Sequence, residues 1–173
     1  MHVIRTSRLT LEPQVAAHAD EMFGVLGDPA IYEYENEPPP SVDWLRQRFT
    51  KLETRLSPDG TEQWLNWVIR LPASGLIGFV QATVFPDARA AIAYQLASSF
   101  WGQGFASEAV QAMLAELAGH YRVESLSAVL KRENLRSRRL LERLGFSPAA
   151  PEQHRNAQVD RAEVLMLRQL QDA

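Results

Sequence analysis

Gly102 and Gly104 stand one residue apart in the stretch Phe100 to Ala109, FWGQGFASEA, just before a run with helical spacing. The first turn of a helix presents backbone N–H groups without intrahelical partners, together with the positive end of the macrodipole, so it attracts anions. Glycine has no Cβ, so the chain can turn sharply there and a phosphate can reach the amides of Gln103, Gly104, Phe105 and Ala106. Ala106 keeps the same face open, and Ser107 adds a hydroxyl donor. The implied chemistry is a diphosphate cradle; the plainer alternative is a tight strand-to-helix turn.

Three further groups could do chemistry. Asn134 is either the N-cap of a helix or a ligand contact, and one side chain can serve both roles. Ser137, three residues on, shares a helical face with Leu140, Leu141 and Leu144, so its hydroxyl points inward, as a general acid or as a bond back to the helix. Around them Lys131, Arg132, Arg136, Arg138, Arg139 and Arg143 outnumber Glu133 and Glu142. Glu108 lies in the first turn of the earlier helix, where a carboxylate either satisfies the dipole or acts as a base. In YEYENEPPPS, Tyr32, Glu33, Tyr34, Glu35 and Glu37 would draw in a cationic amine, although such runs are often solvated loops.

These groups need elements to hold them. SRLTLEP reads as a short strand stopped at Pro13, with Leu9 and Leu11 on one face. Ala19, Met22, Phe23 and Leu26 recur at helical spacing before Gly27 and Pro29, and Ser41 caps a second helix carrying Leu45, Phe49, Leu52 and Leu56. From Gln63 the period falls to two: WLNWVIRL, LIGFVQATVF and AAIAYQLA form three strands with short turns, an antiparallel meander. Ala106, Val110, Met113, Leu114 and Leu117 then share a helical face closed by Gly119. RVESLSAVL is a strand, Asn134 opens another helix, and Gly145 with Phe146 behind it carries the signature of a Schellman stop. A polar connection, APEQHRNAQ, leads to a last strand, AEVLMLRQL. No repeat or linker interrupts the chain, so residues 1–173 read as one α/β domain.

Composition excludes several functions. The 173 residues contain no apolar run near the ~20 that span a bilayer, and MHVIRTSRLTLEP lacks the apolar core of a signal peptide, so a cytoplasmic location without membrane attachment is expected. Without cysteine there is no thiolate metal site and no cysteinyl intermediate. A net charge of -3 makes nucleic-acid binding an unfavoured reading. His2, His18, His120 and His154 are scattered without metal-ligand spacing, so no metal is expected.

A P-loop would need a lysine after its glycines, and none occurs between Lys51 and Lys131. A dinucleotide fingerprint would need glycine at position 107, where serine stands, and would open a parallel sheet rather than follow a meander. YQLASSFWGQGFASEAV, with LKRENLRSRRLLERLGF after the next strand, resembles the GNAT superfamily of acyl-CoA-dependent N-acetyltransferases. It is most similar to the RimJ/RimL branch, which acetylates ribosomal-protein amino termini. TSRLTLEP looks like the opening strand of that family, GDPAIYEY like its first interhelical loop and GLIGFVQA like its central strand. The phosphate loop Gln/Arg-x-x-Gly-x-Gly/Ala maps onto Trp101 to Ala106; tryptophan at the first position is usual in the RimJ/RimL branch.

The resemblance implies a central mixed, mostly antiparallel twisted sheet flanked by about four helices, with a splayed strand pair holding acetyl-CoA. It implies that Leu96 and Ala97 pair through their backbone with the pantetheine arm, that Asn134 contacts the arm and that Ser137 lies near the thiol sulfur. One or two arginines of the basic stretch, Arg139 among them, would contact coenzyme A, and the acidic loop would face the acceptor. The implied reaction is direct attack of an amine on the acetyl thioester within a ternary complex. At pH 7 roughly one α-amino group in ten is neutral, against about one lysine side chain in two thousand, so an α-amine needs little help. A water-relayed base, such as Glu108, Glu33 or Glu35, and a hydroxyl such as Ser137 protonating the leaving thiolate would suffice. Acceptors left open are a protein amino terminus, an amino acid, a polyamine and an aminated drug, and monomer and homodimer stay equally open. Two other classes compete: an acyl-CoA-binding regulator without turnover, and a ribosome or RNA binder using the basic helix.

Overall fold

The computed structural model describes residues 1–34 and 36–170. Eight strands form one sheet: β1 (Ile4–Arg5), β2 (Thr10–Pro13), β3 (Gln63–Leu71), β4 (Gly75–Val84), β5 (Arg89–Leu96), β6 (Ser125–Lys131), β7 (Ser147–Pro148) and β8 (Glu163–Gln169). Their order is β1-β2-β3-β4-β5-β6-β8-β7, and every pairing is antiparallel except β5 with β6. The helices are α1 (Ala19–Val25), α2 (Val42–Leu52), α3 (Phe105–Gly119), α4 (Leu135–Arg143) and α5 (Pro151–Asn156). This is the mixed, mostly antiparallel α/β architecture expected from the sequence.

Alternation along the meander gives the sheet two apolar faces. Leu65, Trp67 and Ile69 of β3, with Val80 and Ala82 of β4, join the main core with Val110, Met113, Leu114 and Leu117 of α3. Val68 of β3 and Leu76 of β4 face the other way, onto Met22 of α1 and Leu45 and Phe49 of α2. Trp67 is fully buried, and its indole N–H is satisfied by the carbonyl of His2 at 2.9 Å.

Local rules set the helix ends. Ser41 Oγ accepts from the amide of Trp44 at 3.1 Å, capping α2 as expected. At the end of α4, Gly145 at φ +82° donates to Glu142 O and Phe146 donates to Leu141 O, both at 3.0 Å, the paired bonds of a Schellman stop. The structure differs from the expected elements in four places: α2 ends at Leu52, so Leu56 lies beyond it and bridges Gln63, and Ser147–Pro148 adds the short strand β7. The polar connection after β7 contains α5, started by Pro151 and by Gln153, whose Oε1 accepts from the amide of Ala150 at 2.9 Å. The amino terminus adds β1, two residues too short to show a period.

Candidate active site

β5 and β6 pair only from Arg89 with Ser125 to Ala91 with Ser127. Beyond that point β5 stays on β4 and β6 stays on β8, so the two strands part and residues 92–96 keep an edge without a strand partner. A cavity of about 190 Å³ fills the gap, walled by Ile92, Tyr94, Gln95, Ala128, Leu130 and Ser137. A second cavity, about 120 Å³, extends it past Leu96, Trp101, Ala106, Asn134 and Arg136.

The outer end of this channel carries the glycine turn. Gly102 and Gly104 adopt φ of +74° and +81°, and a Cβ on Gly102 would meet nothing within 4 Å. Among the described residues, no backbone amide from Gly102 through Ser107 donates to a protein acceptor. The side chain of Phe105 is buried, so that residue offers only its amide, while Ala106 fronts the cavity. Two cations flank the turn: Arg8, which sequence reasoning missed, and Arg136, which it named within the basic stretch without singling it out. Arg8 donates from Nη1 to Gln103 O at 3.0 Å and lies 4.5 Å from the centre of the Phe105 ring. Arg136 stacks 3.6 Å above the Trp101 ring and lines the second cavity. Arg139 is exposed and lines neither cavity. The rest of the basic stretch is partly engaged: Lys131 pairs with Glu163 and Arg138 with Glu142.

Two residue roles expected from the sequence change with this geometry. The amide of Ala97 already donates to Ile77 O, Ala97 O accepts from Phe100, and Leu96 O accepts from the Trp101 indole at 2.9 Å. The backbone of Ala97 is thus engaged, whereas among the described residues the amide of Leu96 has no acceptor and stays on the open edge with residues 92–95. Glu108 does not line the channel; its carboxylate accepts from Thr6 Oγ1, Ser7 Oγ and both the amide and Nε of Arg8 at 2.6–3.0 Å. Burial opposes its ionisation, but these donors outweigh it and draw its pKa down to about 2, which makes it a poor base. We accordingly treat Glu108 as the clamp that fixes Arg8 against the glycine turn.

Deeper in, Asn134 Oδ1 caps α4 by accepting from the amide of Ser137 at 3.1 Å, and both residues line both cavities. Tyr94 donates to Ser137 O at 3.3 Å; burial pushes its pKa up to about 12, so it stays a phenol at working pH. A Tyr-Gln pair inside the apolar strand AAIAYQLA was a readable signal for this wall, because polar side chains are costly there unless used. Among the described residues, no carboxylate and no imidazole lines either cavity.

The loop between α1 and α2 covers the inner end. Gln95 Nε2 donates to Ile31 O at 2.9 Å, and Asp28 accepts from the amide of Ser98 at 2.6 Å, tying the loop to both ends of this region. Tyr34 reaches both cavities, whereas Glu33 is exposed and lines neither; Glu35 lies outside the described residues. Tyr32 and Glu37 border a third cavity, about 360 Å³, under α1 and α2. Its floor carries carboxamides from neighbouring chain segments: Gln14, Asn66, Gln81 and Gln95. Asn66 and Gln81 are register partners, and the amide of Gln14 donates to Asn66 O at 2.9 Å. Gln14 is only 5% exposed, and among the described residues its Nε2 has no hydrogen-bond partner. Gln81 and Gln95 line both this cavity and the gap between β5 and β6.

Residues 8–147 match the family described as acetyltransferase (GNAT) domain. The chain belongs to the GNAT acetyltransferases. An uncharacterized N-acetyltransferase, p20 of Bacillus licheniformis, is 28% identical over 148 residues, 84% of this chain and 83% of that one. A GNAT-family acetyltransferase from Bordetella pertussis shares 26% identity, covers 97% of this chain and 99% of its own, and superposes with a TM-score of 0.71. The same GNAT fold, at a TM-score of 0.80, occurs in the RimL ribosomal L7/L12 α-N-protein acetyltransferase in complex with coenzyme A, 17% identical with 98% of each chain covered. The ribosomal-protein-S5-alanine acetyltransferase of Vibrio fischeri has a TM-score of 0.80 at 16% identity, covering 99% of this chain and 98% of that one. Among the described residues, no helix is long and apolar enough to cross a membrane.

Proposed function

We propose that this GNAT chain transfers an acetyl group from acetyl-CoA to a primary amine, with an α-amine as the preferred acceptor, in the cytoplasm. The observation that carries the reading is the continuity of the cleft: free amides and cations at one end, an unpaired strand edge in the middle, and a carboxamide-lined cavity at the other. The residues present fit coenzyme A. The amides from Gly102 to Ser107, backed by Arg8 and Arg136, suit a diphosphate, and the edge at residues 92–95 suits an arm bearing amides. When bound, acetyl-CoA supplies an activated thioester.

The chain's own part is to hold, orient and exclude. Asn134 holds the first turn of α4 so that Ser137 borders both cavities, where its hydroxyl can donate a proton or hydrogen bond to a departing sulfur. Tyr94, whose phenol donates to Ser137 O, braces the first turn of α4 from the same wall. No carboxylate among the described residues lines the gap between β5 and β6 where the thioester would lie, so an amine reaching it neutral, or losing its proton to water, is favoured, which suits α-amines over lysine side chains; Glu37 borders only the third cavity. The carboxamide floor presents neutral donors and acceptors suited to amide groups following that amine.

Thermal unfolding with acetyl-CoA, then thiol release with an amine panel, tests the reading. Ligand at ~100 times Kd should stabilise the fold by about 2.7 kcal/mol. Stabilisation followed by turnover on peptides or amino-acid amides supports it. Stabilisation without turnover on any amine leaves a binding module, and no stabilisation removes the cradle.

A further inference from the structure

The far end of α3 gathers side chains that sequence spacing leaves apart. Glu116 and His120 are four residues apart at the end of this helix, and His2 meets them from the segment before β1. The donor atoms of His2, Glu116 and His120 all lie within 4.8 Å of one another. His2 Nδ1 is 2.9 Å from Glu116 Oε1, and the two imidazole rings stand 4.4 Å apart at 71°.

Two more observations mark this as a built cluster rather than a chance surface pair. The backbone of His2 is pinned, because its carbonyl accepts from the buried Trp67 indole, while its ring stays exposed. The surroundings are small: Ala112, Ala115 and Gly119, with Ile4, leave an open recess beside the three donors. The site also lies at the carboxyl end of α3, where the macrodipole is negative and favours a cation.

We propose that His2, Glu116 and His120 bind a divalent transition ion of the zinc class. Two imidazoles and one carboxylate suit zinc, nickel or copper, whereas magnesium and calcium take oxygen donors. Metal–donor distances of about 2.0–2.1 Å place tetrahedral donors about 3.4 Å apart, so no pair needs to close by more than about 1.4 Å, through rotation of the exposed imidazoles of His2 and His120. The recess leaves the fourth position to water. Such an ion cross-links residue 2 to the end of α3, and the same segment is gripped at residues 6–8 by Glu108 near the start of α3. The ion therefore fastens the second end of a strap along the helix whose first turn forms the anion cradle.

The test uses the full chain, free of any affinity tag and stripped with chelator, titrated with zinc chloride by calorimetry and thermal unfolding, with magnesium chloride as control. One zinc per chain should bind, and at ~100 times Kd it should raise the unfolding temperature by about 5–10 °C, with no shift from magnesium. His120→Ala and Glu116→Gln should each weaken zinc roughly tenfold or more, while His154→Ala, on a remote histidine, should not. No stoichiometric zinc binding, or binding that survives both substitutions, overturns the proposal. These readouts do not involve turnover, so their failure leaves the acetyl-transfer reading untouched.

Discussion

Replacing Glu108 with glutamine keeps the shape of the clamp and removes its charge. The carboxylate is held by Thr6, Ser7 and Arg8, and its pKa falls from 4.5 to about 2 against the opposing pull of burial. A carboxyl whose pKa drops on folding adds stability above its unfolded value and loses it as pH falls through the folded one. The full drop corresponds to about 3.4 kcal/mol at neutral pH. Arg8 is 45% exposed, so solvent screening reduces this to about 1.5–2 kcal/mol. Glu108→Gln should therefore unfold about 3–8 °C lower at pH 7, read by calorimetry. The gap between the two proteins should close as pH falls from about 4.5 to about 2. With both substrates saturating, kcat should change little, because the carboxylate does not line the channel. Equal unfolding temperatures at pH 7, or a gap that ignores pH, would refute the clamp. Unchanged stability with a roughly hundredfold loss of kcat would restore Glu108 as the base.

Arg136→Ala should weaken acetyl-CoA about tenfold in a binding titration, whereas Arg139→Ala should leave it within about twofold; the reverse order would return the phosphate contact to Arg139. Ser137→Ala should lower kcat by about ten- to a hundredfold with acetyl-CoA affinity unchanged, and an unaltered kcat removes the hydroxyl from the chemistry. The pH profile of kcat/KM should rise with the acceptor's own amine pKa and move when the acceptor is changed; a limb fixed across acceptors would reveal an enzyme base. Gln14→Leu removes a buried unpaired nitrogen, so it should raise stability by about 1 kcal/mol while raising the acceptor KM and sparing that of acetyl-CoA. Unchanged acceptor KM would show that the carboxamide floor does not meet substrate.

What was legible in the sequence was local. The glycine turn, the Ser41 and Asn134 caps, the Schellman stop and the period-two meander each depend on residues within a few positions, and the structure holds them where the pattern put them. What was not legible depends on partners distant in sequence. Arg8 reaches Gln103 across 95 residues, and nothing around Arg8 distinguishes it from an ordinary surface arginine. The histidines looked scattered because His2 and His120 meet only when β1 docks beside α3. Ala97 was a sensible candidate for pairing, but its amide and carbonyl are taken by Ile77 and Phe100, whereas Leu96 gives only its carbonyl to the Trp101 indole. The position of Arg136 was hidden in the same way, since its stacking on Trp101 sets it apart from a stretch in which every arginine reads alike.

On the proposed reading, the gap between β5 and β6 would keep donor and acceptor apart and still let them react. Successive residues of a strand face opposite sides of the sheet. Tyr94 is the register partner of Val80, which belongs to the core under α3, while Gln95 partners Phe79, which packs with the α1 and α2 cluster. Elsewhere the closed ladder of hydrogen bonds separates the two faces, but past Ala91 the ladder ends and the sheet is open. A group anchored by the first turn of α3 can therefore be presented through the opening to a group lying under α1 and α2. Tyr94 and Gln95 line that opening from adjacent positions on one strand. A substitution that restored pairing between β5 and β6 past Ala91 would stabilise the sheet and abolish transfer together, because the missing hydrogen bonds are the passage.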